Sequence, residues 1–389
     1  MRGKAQLFFL VIGMLIYILD LTSDIWIAIQ YYRNNESKWF APTLSFIIIT
    51  IVITNVAACL HASKDSIEGP CKWLWVFCAC CPILSRYMEE LTYWKRANLD
   101  SSLCGEACQK STCRECENLL EKKRKLAKSI YSLAWLHLIQ ALTESAPQFC
   151  LQLFIMLEQW DFPCFTVLST SVSLLSLAWC ITALEQARET KNNNPSLAFA
   201  FLAWQFFALA SRLSAIVIFA YVFQYHVFSI LAFHWFVVTI AIAIHRKDEF
   251  KGEGVGPWIF MLSASCCCVY PLLVFASEPL LAFCKNRRFY TFIISIILAV
   301  ENMIMLALTI GITKYGRRKI SMADTDVLLP VALACVLGGI ALETVFCVAY
   351  YKCCCRKDTD VSKDRQKIDD ESPGNRVSTV EINAGFNRN

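Results

Sequence analysis

Several ionisable and amide side chains of this chain lie inside runs that are otherwise apolar, and their spacing follows the helical turn. Asp20 and Asp24 are four residues apart and share one helix face. Gln140, Glu144, Gln148 and Gln152 recur every four residues, with His137 one turn before, and Pro147 is placed to kink that helix. Arg212 follows Gln205 by two turns, and Glu301 sits beside Asn302. An ionisable group at the centre of a membrane helix costs ~2.5–3.5 kcal/mol on insertion scales, so each is a candidate functional residue. The competing role is structural, because polar side chains also tie membrane helices together. A ladder of polar groups at successive depths is what a polar cargo needs to cross hydrocarbon. Two aspartates on one face repel, which makes Arg212 and His137 their expected partners.

The elements that carry these residues follow from composition. Of 389 residues, 56% are hydrophobic and 18% charged, against about 25% charged in soluble domains. Apolar residues gather into ten segments, roughly 6–32, 39–61, 71–92, 129–158, 163–184, 196–224, 227–245, 257–284, 289–313 and 324–352. A helix of about 20 such residues crosses the hydrocarbon core. The expected fold class is therefore an all-α polytopic membrane protein, and disordered, collagenous and secreted disulfide-scaffold classes are excluded. The first segment begins at Gln6 without a small-residue cleavage site, so it reads as a spanning helix rather than a removable signal.

Placement of Lys and Arg sets the topology. The stretch 93–128 contains Lys95, Arg96, Lys110, Arg114, Lys122, Lys123, Arg124, Lys125 and Lys128, a cytosolic signature. With the N-terminus cytosolic and the first two segments crossing, a spanning third segment would export that cluster. Pro82 interrupts this segment and Arg86, Glu89 and Glu90 follow, which suits a re-entrant or interfacial helix. The same count in the second half gives about eight transmembrane helices plus two re-entrant segments, with both termini cytosolic. The loop with Lys314, Arg317, Arg318 and Lys319 breaks the charge rule in this arrangement, but the opposite one exports the C-terminal tail.

Echoes along the chain point to two pseudo-symmetric repeats. Ser23-Asp24 is echoed by Ser211-Arg212, His61-Ala62-Ser63-Lys64-Asp65 by His245-Arg246-Lys247-Asp248, and Cys80-Cys81-Pro82 by Cys266–Cys268 and Pro271. The expected organisation is an N-terminal repeat over 1–184 with a cytosolic Cys- and Lys-rich insertion at 93–128. A C-terminal repeat follows over 196–352, then a cytosolic, mostly disordered tail over 353–389.

Of 21 cysteines, most lie in apolar runs as small hydrophobes. Cys104, Cys108, Cys113 and Cys116 could hold zinc, but paired C-x2-C knuckles at the usual separation are missing, and free or exchanging thiols are the preferred reading. Cys353, Cys354 and Cys355, followed by Arg356 and Lys357, form a candidate palmitoylation site. The sequence lacks a phosphate loop, a zinc-protease helix and a nucleophile elbow, so no covalent chemistry, cofactor or nucleic-acid partner is expected.

Glu144-Ser145-Ala146-Pro147-Gln148 followed by Leu151-Gln152-Leu153 resembles the signature of the XK-related membrane proteins, whose characterised members include plasma-membrane phospholipid scramblases. Leu19-Asp20-Leu21-Thr22-Ser23-Asp24-Ile25-Trp26, Pro82 with Arg86 and Glu89, Ser211-Arg212, Glu301-Asn302 and Ala349-Tyr350-Tyr351 resemble further family landmarks in order. The resemblance implies bidirectional, ATP-independent movement of phosphatidylserine and other phospholipids between leaflets, with a role in apoptotic phosphatidylserine exposure. It implies a headgroup path along Asp20, Asp24, Gln140, Glu144, Gln148, Gln152, Arg212 and Glu301. His137 and Gln140 stand where relatives often carry Arg and Glu. The implied partners are membrane phospholipids, an accessory membrane protein and a caspase that cuts the tail. Asp-x-x-Asp is absent here, leaving Asp360 and Asp370 as degenerate cleavage candidates. A small-solute or ion transporter and a non-transporting membrane scaffold are the alternative readings.

Overall fold

A computed structural model describes residues 2–64, 82–99, 114–188, 195–233, 236, 240, 287–315 and 330–353, and the regular elements among them are helical. Helices α1 (Arg2–Arg33) and α2 (Ser37–Lys64) form a hairpin. Its turn is closed by Glu36 N–H donating to the Tyr31 carbonyl, with Asn35 in the left-handed region at φ 58, a conformation Asn tolerates better than most residues. Next come α3 (Pro82–Leu99), α4 (Arg114–Thr143) and α5 (Ser145–Gln159). Then follow α6 (Cys164–Arg188), α7 (Pro195–Phe223) with a short helical continuation to residue 233, α8 (Arg287–Tyr315) and α9 (Pro330–Cys353).

Five runs among the described residues are long and apolar enough to cross a membrane: Leu7–Arg33, Ser37–Ala57, Cys164–Ala187, Pro195–Phe233 and Pro330–Cys353. Ser295–Gly311 is a shorter apolar helix. The expected segment 129–158 is not one of these five, for a physical reason. The Pro147 ring cannot sit against the carbonyl four residues back, so the helix breaks at Glu144 (φ −115, ψ −69) into α4 and α5. His137, the glutamines and Glu144 also lower its hydropathy. The helix is longer toward its N-terminus than its apolar run, because α4 begins at Arg114, within the basic stretch.

Contacts fix relative directions. Lys38 pairs with Glu158 at 3.1 Å, Trp39 meets Phe154 and Trp26 meets Phe165, so the α1–α2 turn and the α5–α6 turn share one end of the bundle. At the other end Phe9 meets Trp179, and Phe201 and Trp204 meet Tyr350. Helices α1, α5 and α7 therefore run one way and α2, α6 and α9 the other. Arg212 and the 215–219 run of α7 meet residues 301–306 of α8 in the same order, so α7 and α8 are parallel.

The bundle buries a set of polar groups beside its apolar core and turns apolar side chains outward. Helix α1 buries Asp20 and Asp24 while Leu15, Leu19, Trp26 and Ile29 stay exposed, and α2 exposes Ile48, Ile49, Val52 and Val56. In lipid an exposed apolar side chain costs nothing, so close packing and hydrogen bonds, rather than apolar burial, hold these helices. Two glycines mark tight crossings. A Cβ on Gly13 would lie 2.7 Å from Tyr87 Oη and 2.9 Å from Trp179 Nε1, and one on Gly339 would lie 2.8 Å from Ser211 Cβ.

Candidate functional site

The first polar cluster grows from the central α4–α5 pair, which packs against α2, α3, α6 and α7. Because Asp20 and Asp24 share a face of α1 and the glutamines share a face of α4–α5, two parallel rows of polar groups meet. Ser145 Oγ donates to Asp20 Oδ2 at 2.6 Å. Gln152 Nε2 donates to Asp24 Oδ1 across a longer 3.4 Å, and its Oε1 lies 2.9 Å from the Thr170 hydroxyl of α6. Gln140 Nε2 donates to Glu144 Oε2 at 2.7 Å, and Gln148 Nε2 to the Thr43 carbonyl of α2 at 2.9 Å. These residues are all buried, with Asp24 at 0% and Glu144 at 3% exposure. Asp20 lies near enough to both Asp24 and Glu144 for their charges to interact.

This column is short of donors. Asp20 Oδ1, Asp24 Oδ2, Glu144 Oε1, Gln140 Oε1 and Gln148 Oε1 have no hydrogen-bond partner among the described residues. On α6, Ser173 and Ser176 face Asp20, and Ser169 faces Asp24. Among the described residues the Ser169 and Ser176 hydroxyls face these carboxyls without closing a hydrogen bond of full geometry.

The expected counter-charges are placed elsewhere. Arg212 turns to α8, donating from Nη2 to Glu301 Oε2 at 2.7 Å and from Nη1 to Asn302 Oδ1 at 3.0 Å. Asn302 Nδ2 reaches Ser211 Oγ at 3.3 Å, and that hydroxyl donates to the Val336 carbonyl of α9 at 3.1 Å. His137 is buried beside Tyr87, whose Oη lies 2.8 Å from Nδ1, with Tyr17 edge-on to the imidazole. Pairing of the aspartates with Arg212 and His137 is thus replaced by two separate arrangements. Arg212 sits on the α8 side of α7, and the His137 imidazole is held by Tyr87 and Tyr17 rather than by the aspartates.

The structure sets Asp20, Asp24, Gln140, Glu144, Gln148 and Gln152 in one buried column and puts Arg212 beside Glu301 and Asn302, a pairing the sequence reading did not make. That reading missed Ser145, although that residue stands inside the quoted motif, and the Ser169, Ser173, Ser176 stripe, legible as helical spacing in an apolar run. It also missed Glu343, an acidic residue in the second half of the span Pro330–Cys353, which takes a hydrogen bond from Trp204.

At the α3 end, outside the spanning helices, Arg86 pairs with Glu89 at 3.1 Å and lies 3.4 Å from Ser132. Ser129 bonds to Glu90 in a short contact. Burial pushes the Glu90 carboxyl up to about 7, a shift the Ser129 hydroxyl and Arg86 only reduce. Cys104, Cys108 and Cys113 lie outside the described residues, and Cys116 falls in the first turn of α4. No group of three His, Cys, Asp or Glu side chains among the described residues could hold a metal ion. Cys353 ends α9 and is exposed, while Cys354, Cys355, Asp360 and Asp370 lie outside the described residues.

A family profile described as XK-related protein matches residues 8–356. The chain belongs to the XK-related family. Among curated relatives, XK-related protein 8 of Tetraodon nigroviridis is 22% identical over 269 residues, covering 65% of this chain and 62% of that relative's length. The XK-related match spans the polar column as well as Arg212 and Glu301.

Proposed function

We propose that this protein is a phospholipid scramblase that moves phosphatidylserine and other phospholipids in both directions between leaflets without ATP. The observation that carries the reading is the buried column of Asp20, Asp24, Gln140, Glu144, Gln148 and Gln152, aligned with the helix direction inside a shell of apolar, outward-facing side chains. A headgroup crossing hydrocarbon needs polar contacts at successive depths, whereas its acyl tails need only lipid. The proposed path runs between α1, α4–α5 and α6, with Arg212 and Glu301 as a second polar station. In this reading the fold has eight crossings and two re-entrant segments in two repeats. It resides in the plasma membrane with both termini cytosolic and takes part in phosphatidylserine exposure. The tail past α9, anchored by lipidated Cys353, Cys354 and Cys355, restrains the bundle until it is removed, with Asp360 as the first candidate cut. An accessory membrane protein and a caspase are the proposed partners.

Reconstitution tests this. The full-length chain and one ending at Asp360 go into liposomes with fluorescent phosphatidylserine, read by dithionite quenching. Lipid movement by the shortened chain alone supports tail gating, and movement by both supports an ungated scramblase. A folded protein that moves no lipid but passes a small solute in a saturable manner is a transporter, and one inert to both but holding a protein partner is a scaffold.

A further inference from the structure

Resting on the scramblase reading, the excess of buried acidic groups over counter-charges in the column identifies the headgroup chemistry it accepts. Three buried carboxylates stand within electrostatic reach of one another, each with one oxygen lacking a partner. Beside them stand two buried hydroxyls, Ser169 and Ser176, each 1% exposed or less and facing Asp24 and Asp20 without closing a short hydrogen bond, and a hydroxyl brings no charge to offset an acid. The guanidinium that could neutralise them, Arg212, is engaged by Glu301 and Asn302. Buried carboxylates of this kind call for a visiting cation or donor. The cluster does not have the closeness a metal ion requires. A ladder with one turn between Asp20 and Asp24 suits a larger cation carried on a flexible stem, passed from one oxygen to the next.

We propose that Asp20, Asp24 and Glu144, with Ser169 and Ser176, select phospholipids whose headgroup bears an ammonium and disfavour those without one. Phosphatidylcholine, phosphatidylethanolamine and phosphatidylserine qualify, and phosphatidylglycerol does not. A headgroup ammonium supplies the missing positive charge at each step, while an amine-free anionic headgroup brings no positive charge to the buried acids. One charge contact made in transit by the ammonium, and missing for an amine-free headgroup, is expected to change the rate about tenfold, and a factor of ten corresponds to ~1.4 kcal/mol.

Phosphatidylserine and phosphatidylglycerol carry the same net charge but differ in the ammonium, so they form the decisive pair. Each is labelled on an acyl chain, incorporated in trace amounts in phosphatidylcholine liposomes with whichever chain length moves phosphatidylcholine, and followed by dithionite quenching. The expected result is phosphatidylserine moving about tenfold faster than phosphatidylglycerol. In Asp24→Asn and Glu144→Gln the ratio falls toward one, with phosphatidylglycerol gaining rate, which a misfolded variant cannot produce. Ser169→Ala shifts the ratio in the same direction by a smaller factor. Equal rates for the two lipids in the unmodified protein overturn the selection while leaving the scramblase reading intact. Equal loss of both lipids in folded variants overturns the role of these acids. Failure of a folded protein to move even phosphatidylcholine sinks the scramblase reading and this inference with it.

Discussion

Removing Glu301 while keeping Arg212 should be among the most destabilising single changes in the bundle. Arg212 is 2% exposed and its two Nη atoms are satisfied by Glu301 at 2.7 Å and Asn302 at 3.0 Å. In Glu301→Ala the guanidinium keeps only the Asn302 amide as acceptor in a region it cannot leave. Breaking a buried pair from one side costs about 3–5 kcal/mol, because the remaining charge stays desolvated. The Glu301 side chain is 21% exposed, so solvent or headgroup access places the expected loss at the lower end, about 3 kcal/mol. Replacing both residues removes the stranded charge. Arg212→Met with Glu301→Leu should lie within about 1–2 kcal/mol of the unmodified protein, since apolar pairs of similar volume often match buried ion pairs. The assay is unfolding of purified protein in mixed micelles by rising sodium dodecyl sulfate, with circular dichroism as readout. A Glu301→Ala protein within about 1 kcal/mol of the original, close to the average for polar pairs in membrane bundles, would refute the claim that this pair is a desolvated charge contact.

Three further outcomes follow from local geometry. Gly339→Ala should lose about 1–3 kcal/mol through overpacking, because its Cβ would lie 2.8 Å from Ser211 Cβ and 3.2 Å from Ser211 Cα. Its neighbour Gly338, with nothing within 4 Å, should tolerate Ala or gain up to about 1 kcal/mol in helix propensity, so micelle unfolding midpoints should move in opposite directions. Glu90→Gln should flatten part of the pH dependence of stability: the Glu90 carboxyl rises from 4.5 to about 7 on folding, so its stabilising protonated form is intact below pH 4.5 and lost as pH rises through about 7. Melting temperatures from pH 5 to 8 should fall in the unmodified protein relative to the variant. Tyr87→Phe removes the partner of His137 Nδ1 and should cost about 1–3 kcal/mol by leaving a buried ring nitrogen unpaired, again measurable by micelle unfolding.

Hydropathy and spacing made much of this legible. Four-residue repeats placed Asp20 and Asp24 on one face and aligned Gln140 to Gln152 on another, and the fold brings those faces together. The kink expected from Pro147 appears as a break at Glu144. What the sequence could not reveal was which faces meet. Charge neutrality pointed to Arg212 as partner of the aspartates, whereas packing turned it to Glu301 and Asn302. Helix periodicity specifies a face but not the neighbour across from it, and several apolar helices present nearly interchangeable surfaces. The serines of α6 were passed over because a hydroxyl in a membrane helix usually bonds to its own backbone one turn back, as Thr54, Ser171 and Thr182 do here. The contacts of Ser169 and Ser176 toward α1 break that habit.

The adjacency of Ser211 and Arg212 has a mechanical consequence. Neighbouring residues on a helix point about 100° apart, so α7 is gripped on two sides at one level, by α9 through the Val336 carbonyl and by α8 through Glu301 and Asn302. Slippage or rotation of α7 would break both grips together, which fixes its register against two neighbours that offer mostly smooth apolar surface. Among the described residues no comparable ionic clamp holds α1 to α4–α5, where carboxylates face amides, hydroxyls and unfilled acceptor positions. On the proposed scramblase function, the second half of the bundle is thus the fixed frame, and the first half is the side free to part and reclose as a headgroup passes.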